Sequence, residues 1–99
     1  MKSFEPTAEL LEVAERVVWF KEPHQTLNDS IHFLTYAMRF GTAEDLAALD
    51  RAGINLTHFG KGLDNAPAGI FDERSWAYWN LKCGRKVVPP LPVRNLDLE

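Results

Sequence analysis

Thr26-Leu27-Asn28-Asp29-Ser30-Ile31-His32-Phe33-Leu34-Thr35-Tyr36-Ala37-Met38-Arg39-Phe40-Gly41 is the stretch that decides the fold. At helical spacing Ile31, Leu34 and Met38 form one apolar stripe, while Phe33, Tyr36, Ala37 and Phe40 form a second on the opposite side. A helix apolar on both sides is buried between other elements, so the pattern predicts a central helix over about 27–40. Thr26 is its candidate N-cap, with Asp29 three residues on as in a capping box. Gly41 is a candidate left-handed terminator.

Working outward, four more helices are predicted. The first spans about Pro6 to Phe20, with Leu10, Leu11, Val13, Ala14, Val17, Val18 and Phe20 on one face and Glu9, Glu12, Glu15 and Arg16 on the other. Trp19 falls in the middle of that polar face, and Glu22-Pro23 ends the segment because a residue before proline is pushed out of the α region. Thr42 with Asp45 caps a short helix to Ala52 that buries Leu46 and Leu49 and stops at Gly53. Asn55 caps the next, about Leu56 to Asn65, with Leu56, Phe59 and Leu63 inward; Gly60 and Gly62 weaken it. Asp72 caps the last, about Glu73 to Lys82, with Trp76, Trp79 and Cys83 on one side and Tyr78 and Leu81 on the other. No segment alternates as a half-buried strand does. The expectation is an all-α, single five-helix bundle over 1–88 with an extended, proline-rich tail over 89–99. Leu98-Glu99 reads as the remnant of a cloning site and is given no functional weight.

Composition narrows the function classes. The chain has 99 residues, 45% hydrophobic and 25% charged, with a net charge of −3, as one small globular domain should. No apolar run reaches the roughly 18 residues a spanning helix needs, and the N-terminus lacks the apolar core of a secretory signal. Cys83 is alone, which excludes a disulfide framework; a cytoplasmic location is the expectation. Residues 1–50 carry a net −5 and residues 51–99 a net +2. That acidic first half suits repulsion from phosphate better than attraction to it, so nucleic acid is disfavoured as a partner.

Residues able to carry chemistry are scattered. His24, His32 and His58 have no partner at metal-ligand spacing, and no cofactor or metal is expected. Cys83 lies near a helix C-terminus, where the dipole raises a thiol pKa instead of activating it. Gly60-Lys61-Gly62 follows no strand and lacks the ending of a phosphate loop. No pair of carboxylates is marked out for acid–base work, and the chain is read as not an enzyme. Residues 42–63 superficially form a helix-turn-helix, but Lys61 is the lone cation among Asn55, Thr57, His58 and Lys61. A small-molecule pocket would need convergent polar groups such as His32, Asn80 and Arg39.

The aromatics say more. Eleven Phe, Trp and Tyr residues is a heavy load for this length, and Trp and Tyr concentrate at interface hot spots. Trp19, Trp76, Tyr78 and Trp79 are therefore the candidate protein-interface residues, with weak self-association as a further option. Pro89-Pro90-Leu91-Pro92-Val93-Arg94 reads like a polyproline ligand. The nearby tryptophans favour its packing on its own domain instead.

The order of these features resembles a group of short uncharacterised bacterial helical proteins. The likeness is carried by Trp19-Phe20, Pro23, Leu27, Phe33, Gly41-Thr42-x-Glu44-Asp45-Leu46, Leu49 and Phe71-Asp72-x-x-Ser75-x-x-x-Trp79. Some members of that group are encoded beside nucleotidyltransferase-type toxins of abortive-infection systems. The resemblance implies an antitoxin-like or accessory partner of such an enzyme, and it assigns no functional residue.

Overall fold

The computed structural model describes residues 4–92, so Val93, Arg94 and Leu98-Glu99 lie outside the described residues. These residues form six helices and no strand: α1 (Ala8–Val17), α2 (Pro23–Asn28), α3 (Ser30–Phe40), α4 (Ala43–Arg51), α5 (Leu56–Asp64) and α6 (Glu73–Lys82). No helix among the described residues is long and apolar enough to cross a membrane.

The sixth helix comes from dividing the expected central one. Pro23 opens α2 instead of only closing what precedes it, because its missing N–H would have no intrahelical partner at a first position. Glu22 caps α2 by accepting from the Gln25 N–H at 3.1 Å. Asn28-Asp29-Ser30 then interrupts the helical path, with Asp29 at φ −104°, ψ 84°. Three successive residues that prefer caps to helix interiors explain the break. The expected Thr26–Asp29 box does not form. Asp29 instead caps α3, accepting from the His32 N–H at 3.2 Å, and Thr26 is buried with its hydroxyl donating to the Glu22 carbonyl at 3.3 Å.

α1 stops at Val17, three residues before the expected end, where the β-branched and aromatic run Val17-Val18-Trp19-Phe20 is a poor helix former. Trp19 and Phe20 therefore lie in a turn. Thr42 caps α4 in a box with Asp45, and Asp72 caps α6, both as expected; Ser75 completes a second, unexpected box with Asp72. Gly53, at φ +86°, ends α4 in the left-handed region. Gly41 does not: its φ is −71°. A Cβ there would lie 2.6 Å from the Ala37 carbonyl oxygen, so space explains this glycine.

α3 is the centre. Each of the other five helices packs on it, and Phe33, Leu34 and Ala37 are fully buried. α1 contributes Leu10, Val13, Ala14 and Val17, α5 adds Phe59 and Leu63, and α6 adds Trp76 and Trp79. Leu56, expected inward, is exposed on the first turn of α5. α5 can approach α3 closely because Gly62 has no side chain; a Cβ would meet Met38 Cε at 3.1 Å and Leu34 Cβ at 3.3 Å.

Candidate functional site

The Trp19-Phe20 turn opens onto the outer flank of α3. Trp19 is 69% exposed, Phe20 58% and Phe40 47%. Their rings belong to one run of contacts. Trp19 and Phe20 meet edge-to-face at 5.3 Å, and Phe20 meets Tyr36 at 5.8 Å and His32 at 6.4 Å. Tyr36 in turn lies 4.5 Å from His32 and 5.6 Å from Phe40. His32, Tyr36 and Phe40 are four residues apart, which places them one above another along α3. The Arg39 guanidinium extends the run, 4.8 Å from the Phe40 centroid and 3.5 Å from the Asp72 carboxylate at the start of α6.

Two polar atoms under this face have no partner among the described residues: His32 Nδ1 and Arg39 Nε. Burial lowers the His32 pKa, and the Lys21 charge adds to the effect against the opposing pull of Asp29. The ring is therefore held towards its neutral form.

Of the four expected interface residues, the structure places two at the surface. Trp19 belongs to the aromatic face, and Tyr78 is exposed on α6, with Lys82 Nζ 6.0 Å from its ring. Trp76 and Trp79 are each 5% exposed and belong to the core. The Trp79 indole N–H donates to the Met38 carbonyl at 2.9 Å, and its ring packs on Phe59 at 5.2 Å. The Trp76 indole N–H donates to the Pro89 carbonyl at 2.8 Å. Helical periodicity gave their shared side but not what covers it. Phe20 and Phe40, both assigned to apolar stripes, are exposed instead. The His32-Tyr36-Phe40 spacing was the signal available for them.

The acidic face of α1 borders an open groove of about 590 Å³ shared with α4. Arg16 bonds Asp45 from Nε at 2.9 Å and also from Nη2, and Arg51 bonds Glu9. Asp45 is buried beneath this groove. Burial pushes its carboxyl pKa up, but the bonds from Arg16 and Thr42 outweigh that and hold it below the usual value. Glu12 and Glu44 also line the groove, leaving its lining net negative.

The other candidates are not assembled. α4 and α5 each pack on α3 but not on each other, so residues 42–63 lack the packed pair of a helix-turn-helix. Asn55 and His58 are occupied in capping α5, with the Asn55 N–H donating to His58 Nδ1 at 3.0 Å. His32 and Arg39 lie on the flank of α3, whereas Asn80 is fully buried and accepts from Arg85 at 2.9 Å. These three polar groups do not converge. His24 pairs with Glu22 at 3.0 Å, and the Cys83 thiol is half-buried and pushed up by burial. Among the described residues, no three His, Cys, Asp or Glu side chains stand together as metal ligands would. No family model, curated protein or solved structure matches the chain.

Proposed function

We propose that the chain is a non-enzymatic protein–protein interaction module whose contact surface is the aromatic face of Trp19, Phe20, Tyr36 and Phe40. The observation that carries this reading is the Trp19-Phe20 turn: two large rings, both more than half exposed, held edge-to-face against a further aromatic row. Exposed apolar patches on monomeric domains mark contact sites, and Trp and Tyr dominate the binding energy of such sites. The α1–α4 groove favours a basic partner, and charge of this kind sets encounter rate and orientation. A cytoplasmic enzyme that handles nucleotides, such as the nucleotidyltransferase suggested by the resemblance, fits that requirement. The chain would act on it as an antitoxin-like or accessory subunit.

The test is affinity capture from the native lysate, read by mass spectrometry, with a Trp19→Ala/Phe20→Ala double variant as the control. A stoichiometric partner lost in the double variant supports the reading. A folded double variant that retains the partner at the original level overturns it.

A further inference from the structure

We infer that the groove across Trp76 is a second docking site, for a proline-rich segment of a partner protein, and that this chain's own residues Val88–Pro92 hold it closed. It does not depend on the Trp19 face. Trp76 packs edge-on against Phe71 at 5.5 Å and offers its indole N–H outward to the Pro89 carbonyl. An indole donor on a proline-segment carbonyl, beside apolar walls, is how aromatic-lined grooves read polyproline. The chain itself thus displays the chemistry its groove accepts. Pro89 supplies the carbonyl, and Val88 and Leu91 supply half-buried apolar contacts three residues apart.

This strap is lightly held. Three of its five residues are prolines with no N–H to donate. Among the described residues, the Trp76–Pro89 bond is the one hydrogen bond that ties it down. Open surface grooves of about 230 Å³ and 220 Å³ border Trp76 on either side of it, the first lined by Glu73, Ala77 and Leu91, the second by Leu63, Ala66 and Pro90.

The strap can lift without loosening the helices. Arg85 clamps the chain just before it, donating to Asn80 Oδ1 at 2.9 Å, Asp64 Oδ1 at 3.0 Å and the Gly60 carbonyl at 3.3 Å. Between clamp and strap lie the exposed residues Lys86 and Val87, the latter 83% exposed. The segment now seated there is proline-rich and places a carbonyl on the Trp76 indole, so the occupant is a segment of the same chemistry on a partner protein. Glu73 on the rim favours a segment carrying a basic residue.

The probe is the synthetic peptide Val-Val-Pro-Pro-Leu-Pro-Val-Arg, the sequence of residues 87–94. It is titrated into the isotopically labelled full chain while the Trp76 indole resonance is followed. The seated strap competes with it, so Leu91→Asp, which expels the strap, should raise peptide affinity about tenfold or more. In the unsubstituted chain the Trp76 indole N–H should exchange with solvent about a hundredfold or more faster than that of Trp79, because strap opening does not require unfolding. Three results would each overturn the inference: no peptide binding to either chain, unfolding of Leu91→Asp, or equal exchange of the two indoles. Dimerisation of Leu91→Asp by light scattering would overturn the choice of a different protein as the occupant.

Discussion

Trp19 and Trp79 are the same residue type in opposite surroundings, and substitution should separate them cleanly. Trp79→Ala removes a buried indole, strands the Met38 carbonyl and opens a cavity beside Phe59, so it should cost about 3–5 kcal/mol. Trp19→Ala removes a largely exposed ring and should stay within about 0.5 kcal/mol. Urea unfolding of the two variants measures both values. His32 gives a pH prediction. Its folded pKa is lowered, so the unfolded chain takes up the proton first as pH falls. Its contribution is complete above the usual histidine value of about 6.5 and is lost as pH drops below it. The melting temperature should therefore begin to decline as pH falls below about 6.5, and His32→Phe should flatten that decline. Asp45, lowered in the fold, adds a separate loss only as pH falls below about 4.

The elements divide into those whose ends are written in adjacent residues and those whose ends depend on competition between neighbours. α4 and α6 were legible because Thr42 and Asp72 are capping residues that satisfy first-turn N–H groups locally. The α2–α3 break was harder to read, because Thr26, Asn28, Asp29 and Ser30 can all cap and spacing does not say which one wins. The same limit applied to the site. Periodicity placed Trp76 and Trp79 on one side of α6 but could not show that α3 and the strap cover it. Asp45 ties α4 to α1 as well as capping it. Asp45→Ala should cost about 2 kcal/mol in urea unfolding, since it frees the Thr42 N–H and the Arg16 side chain together. In α5 the two glycines should respond with opposite signs. At Gly62 a methyl group meets the fixed Leu34 Cβ, so Gly62→Ala should lose about 1 kcal/mol despite better helix propensity. At Gly60 the near atom is the mobile end of Arg85, so Gly60→Ala should be neutral or stabilising by up to about 1 kcal/mol. Thermal melts of the pair check the contrast.

Across the whole molecule, the aromatic face and the Trp76 groove draw on different parts of the chain. The former is built from the α1–α2 turn and α3, the latter from α6 and the segment after it. Both are organised around α3, which touches every other helix. That centrality bears on how the chain could be cut. The exposed left-handed turn at Gly53 separates α1–α4 from α5–α6. A chain divided there would leave α3 in the first piece with its α5-facing side bare, and the second piece without the helix it packs against. Neither fragment would hold a fold alone. Mixed together, they should recover helicity jointly, with Gly62 closing onto Leu34 and Met38, so the domain could serve as a two-part complementation pair whose reassembly reports on the α3–α5 seam.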